Sequence, residues 1–125
     1  MADYNVTIRE TSKTLTPKER VQVKDTSDCI ALDAATMEGP VLIFPEWYAI
    51  LDVHNERSDD KDYVTYIIVD KDGQRYKTGS NSFWNAFTSI SDEMLDYPEE
   101  DWGIKVYRLP SKNRQGKDFI TCSLV

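Results

Sequence analysis

Apolar and polar positions alternate most regularly in the middle of the chain. In "EWYAILDVHNE", Trp47, Ala49, Leu51 and Val53 fall on one side of an extended strand, with Tyr48, Ile50 and Asp52 on the other. "RSDDKD" is wholly polar and reads as a solvated loop. The pattern resumes in "YVTYIIVDKDGQRYKTG" as two strands joined by Lys71-Asp72-Gly73, a hairpin turn in which Gly73 supplies the positive φ. After "TGS" the period lengthens. Phe83, Phe87, Ile90, Met94 and Tyr97 recur at spacings of four, three, four and three, which stripes one side of a helix. The spacing predicts a helix over about 81–97, capped by Ser80, Asn81 or Ser82 and stopped by Pro98. "GIKVYRL" and "DFITCSLV" are strand patterns on either side of "PSKNRQGK", where Pro110 and Gly116 favour a turn; Ile120, Cys122 and Leu124 share one face of the last strand.

The first 40 residues are less regular. Val6–Ile8 and Val21–Val23 alternate briefly and suggest short strands or an extended arm. Two apolar runs, Ile30–Leu32 and Val41–Phe44, are punctuated by Gly39-Pro40 and Pro45. The expected order is N-terminal strands, a long strand, a hairpin, one helix and a terminal hairpin. This predicts a mainly β single domain, 1–125: an OB-like small antiparallel barrel at 47–125 with one capping helix, preceded by N-terminal strands or an arm at 1–40. An OB-fold carries its helix between its third and fourth strands, where the helical stripe falls.

Composition adds bounds. A chain of 125 residues, 40% hydrophobic and 30% charged, is an ordinary globular protein. No apolar run reaches the length of about 18 residues that a membrane helix needs, and "MADYNVTIRE" lacks the layout of a signal peptide, so the expected location is cytoplasmic. Cys29 and Cys122 are far apart and read as free, buried thiols. With His54 they are too few for a four-ligand zinc site, and no metal or other cofactor is expected. His54 has no nucleophile at motif spacing and reads as a packed strand-end residue. "DKDGQR" begins like a calcium loop but has Arg75 where glycine is required and Asn81 where glutamate is, so it reads as a turn. "TGSNS" lacks the lysine of a phosphate loop. Catalysis has no foothold, and a non-enzymatic role is expected.

Charge changes the picture most. The net charge is −7, yet Lys105, Arg108, Lys112, Arg114 and Lys117 occur with no acidic residue between Lys105 and Lys117. Aromatic residues lie beside cations here and in the hairpin: Tyr107 next to Arg108, Tyr76 between Arg75 and Lys77, and Phe119 after Lys117. Such mixtures bind single strands, since cations track phosphates while rings stack on bases. In an OB-fold the loop between the last two strands borders the binding face, and the basic loop falls there. Two readings stay open beside this one. Asp59, Asp60 and Asp62 make the first loop of that face acidic, and Tyr63, Tyr66 and Phe119 could be core. A second block, Asp92, Glu93, Asp96, Glu99, Glu100 and Asp101, has no cation within it. It is a solvated helix end, a patch that docks a basic partner, or a surface that mimics nucleic acid and inhibits a host nucleic-acid-binding protein, with Asp96, Glu99, Glu100 and Asp101 as the docking residues.

From about 47 to 125, "DGQRYKTGSNSFWNAF", the acidic helix and "IKVYRLPSKNRQGKDFITCSLV" together resemble the small OB-fold single-stranded-DNA-binding proteins of tailed bacteriophages. The resemblance implies a protein that coats single strands during replication or recombination, without cofactor. It implies contacts from Tyr76 and Lys77 on the sheet and from Lys112, Arg114 and Lys117 in the terminal loop, with Tyr107 as a stacking platform. Many functional relatives end in an acidic tail that recruits partners. This chain ends in apolar "ITCSLV", which is expected to be buried, and the 92–101 block would have to substitute for that tail.

Overall fold

The computed structural model describes residues 4–94, 96–97, 101–110 and 118–125. The chain forms two compact units, neither continuous in sequence: Met1–Ile30 with Glu46–Gly79, and Ala31–Pro45 with Ser80–Val125.

The first unit is built on the long alternating strand. Strand β1 (Tyr4–Thr11) pairs antiparallel with β4 (Pro45–Asn55), and β5 (Asp62–Asp70) pairs antiparallel with β6 (Arg75–Thr78). With the short β2 (Ile30–Ala31) the sheet order is β1-β4-β5-β6-β2, so β4 is internal. One face of β4 is buried as its alternation requires: Trp47, Ala49, Leu51 and Val53 join Ile67, Val69 and Val23 in one cluster, with Val6, Ile8, Leu15 and Cys29 against it. A bulge between Ile8 and Glu10 re-aims the end of β1. The β5–β6 turn closes as the Lys-Asp-Gly signal predicts. Gly73 has φ 87°, its amide donates to Asp70 O at 3.0 Å, and Asp70 Oδ1 accepts the amides of Asp72 and Gln74 at 2.9 and 2.8 Å.

Residues Pro17–Lys24, where a strand or arm was expected around Val21–Val23, form helix α1. Its start explains the difference. Thr16 Oγ1 accepts the Glu19 amide, Glu19 returns a carboxylate to the Thr16 amide, and Pro17 holds the first turn. This capping box is worth about 1 kcal/mol and outweighs a three-residue alternation.

In the second unit β3 (Val41–Ile43), β7 (Ile104–Pro110) and β8 (Asp118–Leu124) form an antiparallel sheet in the order β3-β7-β8. A single turn, α2 (Leu32–Ala35), precedes β3. The striped segment is helix α3 (Asn81–Met94), packed on β8. Ser80 caps it, accepting the Phe83 amide at 3.2 Å. Phe83, Trp84 and Phe87 are its buried aromatics, and Phe87 lies 5.0 Å from Trp84 and 6.0 Å from Phe83, centroid to centroid. The stripe fades toward the end, where Ile90 and Met94 are half-buried and Tyr97 is exposed.

The fold is thus mainly β, in two antiparallel-rich sheets, and among the described residues no barrel closes. The expected OB-like barrel took β4 as its first strand and 1–40 as an appendage. Instead β4 pairs with β1, and the terminal hairpin pairs with β3, so both sheets recruit a strand from the first 43 residues. The tail is only partly buried: Ile120 and Cys122 are inside, while Leu124 and Val125 are exposed.

Candidate nucleic-acid interface

Of the nine cationic and aromatic residues singled out by sequence, the six that are described separate into three groups. Arg75, Tyr76 and Lys77 lie on β6. The Arg75 guanidinium donates to the carbonyls of Gln22 and Asp25 at 2.5 and 2.8 Å, and Lys77 Nζ donates to the Thr26 carbonyl at 3.2 Å. Both cations therefore fasten the segment that leaves α1. Tyr76 points the other way and is 9% exposed, with its hydroxyl pKa raised by burial. This corrects its expected role, since a ring in that position presents no open face to a base.

Arg108, on β7, is the second group. It reaches Thr36 Oγ1 at 3.1 Å and Asp118 Oδ1 at 2.6 Å, and also donates to the Asp33 carbonyl. It holds β7, β8 and the turn after α2 together, with all three bonds made inside the unit. Arg75, Lys77 and Arg108 are thus structural cations, each bonded within its own unit.

Lys105 and Tyr107 form the third group and define a surface. Along β7, Ile104 and Val106 are buried while Lys105 and Leu109 are exposed and Tyr107 is half-exposed. The β7–β8 register places Lys105 opposite Ser123, Tyr107 opposite Thr121, and Leu109 opposite Phe119. On the other flank Leu42 pairs with Lys105. Leu42 and Phe44 are both about half exposed, on either side of buried Ile43. The sheet therefore turns outward Leu42, Lys105, Tyr107, Leu109, Phe119, Thr121 and Ser123, with Phe44 at its border. None of these is a carboxylate. Neighbouring side chains on such a face stand about 5 Å apart across strands and about 7 Å along them.

Two contacts order this face. Lys105 Nζ lies 5.5 Å from the Tyr107 ring centroid, and the Tyr107 hydroxyl is 2.8 Å from Ser123 Oγ. The Phe44 ring lies against Gly103, where a Cβ would come within 2.7 Å of ring carbon Cδ1. Glycine there leaves room for the ring to approach the backbone. Leu42, Phe44, Leu109, Thr121 and Ser123 were not singled out from sequence, although the alternation in "IKVYRL" and "DFITCSL" already placed the last three on the side facing Lys105. Phe119, a possible core residue, is half-buried on the outward side.

Lys112, Arg114 and Lys117 lie outside the described residues, as do Glu99 and Glu100. Asp96 and Asp101 are described and exposed.

The outward face of the first unit has a different character. A groove of about 460 Å³ runs over β1, β4 and β5, lined by residues that include Arg9, Asp52, His54, Asp62 and Tyr63. Arg9 makes a two-pronged pair with Asp52. His54 sits between two carboxylates, Nδ1 2.7 Å from Asp62 and Nε2 2.6 Å from Glu56, and these bonds raise its pKa. It is the strand-end histidine that the sequence suggests. Burial pushes the Cys122 thiol up to about 12 and raises that of Cys29, so both are protonated near neutral pH. Among the described residues no three His, Cys, Asp or Glu side chains are placed to hold a metal ion, and no helix is long and apolar enough to cross a membrane.

No protein-family model matches the chain, and neither does any curated protein or solved structure.

Proposed function

We propose that the chain binds single-stranded DNA without catalysis and with little sequence preference, through the outward face of the β3-β7-β8 sheet. The observation that carries this reading is the composition of that face. In a protein of net charge −7 it presents Tyr107, Phe119, Phe44 and Lys105 and, among the described residues, no carboxylate. Rings of this kind stack on bases at about 1–3 kcal/mol each, and the stacking is indifferent to sequence because every base has a flat face. Lys105 supplies a cation on the face. The β7–β8 connection adds Lys112, Arg114 and Lys117 in sequence directly after it. The bacteriophage resemblance supports the same role, in replication or recombination in a bacterial cytoplasm, with other proteins of those processes as partners. The proposal does not need an OB barrel; it needs one open antiparallel face with rings and cations, which an OB barrel also provides.

The test is a titration of labelled oligo-dT by the full chain at two salt concentrations. Binding at low salt is expected, weakening by roughly 0.7 log units per log unit of salt for each phosphate contacted. Lys112→Glu with Arg114→Glu is expected to weaken it further at unchanged thermal stability. No binding at low salt overturns the proposal. The role of a docking module for a basic protein, through Asp96, Glu99, Glu100 and Asp101, would then take its place, read by capture of such a protein and loss on neutralising those four residues.

A further inference from the structure

A second cavity, of about 650 Å³, lies wholly within the first unit, between the β1–α1 connection, α1 and the β5–β6 hairpin. That volume falls in the range of small-ligand sites, about 300–1,000 Å³. Its apolar floor is Trp47 with Val23 and Val69, all core residues of β4, α1 and β5. The rim is ionic and unbalanced. Lys13 and Arg75 face Glu19, Asp25, Asp28 and Glu46, so four carboxylates meet two cations.

Both cations already have their place. Arg75 is held by the Gln22 and Asp25 carbonyls and lies 4.0 Å from Asp28. Lys13 reaches inward. Its ammonium is 2.7 Å from Glu19 and 5.1 Å from the centroid of the Trp47 ring. An ammonium at that distance from an indole face is a cation–π contact, strongest for Trp and stronger still where water is excluded. The chain thus places its own primary ammonium over the ring, inside a rim of four carboxylates and two cations. Lys13 stands on a short connection, its side chain is 40% exposed, and the cavity is many times the size of one ammonium group.

We propose that this cavity binds a small aliphatic polyamine, one ammonium taking the place of Lys13 over Trp47 and a second meeting Glu46 or Asp28 on the rim. A polyamine suits the site better than a metal ion. The ring attracts an alkylammonium through both its charge and its apolar stem, and the carboxylates are spread around the rim rather than gathered on a point. Lys13 acts as a tethered competitor, so its removal frees the ring and leaves Glu19 as a further carboxylate. The proposal is independent of the DNA-binding reading, which concerns the other unit.

The experiment is a spermidine titration of the full chain at constant ionic strength, following the Trp47 indole N–H resonance. A saturable shift is expected for spermidine, with Lys13→Met binding severalfold more tightly and Asp28→Asn with Glu46→Gln severalfold more weakly. All three substitutions are at solvent-accessible positions, and far-ultraviolet circular dichroism would confirm their folds. No shift with spermidine in either the natural chain or Lys13→Met overturns the proposal. So does an equal response to magnesium chloride, which would mark diffuse acidity, or unchanged affinity in Lys13→Met, which would show that the ring is not the seat of the ligand.

Discussion

The outward faces of the two sheets answer the same overall acidity in opposite ways. On the first unit charges meet their opposites: Arg9 meets Asp52, His54 meets Asp62 and Glu56, and Lys61 lies 3.3 Å from Glu56. On the second unit the outward face of β3, β7 and β8 contains no carboxylate among the described residues, and its lysine, Lys105, lies over the Tyr107 ring. For a phosphate backbone the two surfaces differ in what must be undone. Approach to the first means displacing carboxylates from Arg9, His54 and Lys61; approach to Lys105 on the second does not. Counting cations would have chosen Arg75, Lys77 and Arg108, and all three are bonded to groups of their own unit. The absence of carboxylates is the better guide.

The contrast is most sharply tested by exchanging a structural cation for a surface one. Arg108→Met removes three hydrogen bonds and leaves Asp118 and the Asp33 carbonyl without that partner. It is expected to destabilise the chain by about 2 kcal/mol in a denaturant titration, whereas Lys105→Met stays within about 0.5 kcal/mol. Equal stabilities for the two variants would erase the distinction. Next in size is the loss of a stacking ring. Tyr107→Ser is expected to weaken oligo-dT binding by about 5- to 150-fold, the equivalent of about 1–3 kcal/mol. Tyr63→Ser, an exposed ring on the first unit, should leave affinity unchanged, and equal losses from both would place the binding elsewhere. A finer change is Gly103→Ala. Its new methyl displaces the Phe44 ring, and oligo-dT affinity is expected to fall severalfold with little change in stability; unaltered affinity would remove Phe44 from the interface.

The smallest effect belongs to the paired face. Asp62 and Glu56 hold the His54 ring, so the folded chain keeps its proton more firmly than the unfolded chain does. Its stabilising contribution is whole below the unfolded value of about 6.5 and is lost as pH rises through the higher folded value. Glu56, lowered first by His54 and then by Lys61, adds stability that is present above its ordinary value and lost as pH falls through the lower folded one. His54→Gln is therefore expected to flatten the decline in melting temperature between pH 6 and about pH 8. An unchanged slope would mean that the His54 bonds do not persist in solution.

How much of this was legible beforehand varies by element. The alternation in 47–53, the Asp72-Gly73 turn, the aromatic stripe of α3 and the two closing strands are local patterns, and each became the element it predicts. Helix α1 was missed although its signal, Thr16-Pro17-Lys18-Glu19, is equally local; the alternation of Val21 and Val23 competed with it and lost to the capping box. The strand partners were not legible. Nothing near β4 specifies that β1 should lie beside it, nor anything near β7 that β3 should, and the barrel expectation failed at those two pairings.

The site divides along the same line. That Lys105, Tyr107 and Leu109 share a side follows from the period of a strand, which the order of residues alone imposes. Whether a given cation faces solvent or closes on a carbonyl more than 50 positions away, as Arg75 does on Gln22 and Arg108 on Asp33, depends on which segments are brought together. Periods, turns and caps are set by neighbours within a few residues, so the sequence determines them by itself. Pairing partners and the fate of each charge rest on burial and bonding between distant segments, and those only the folded chain decides.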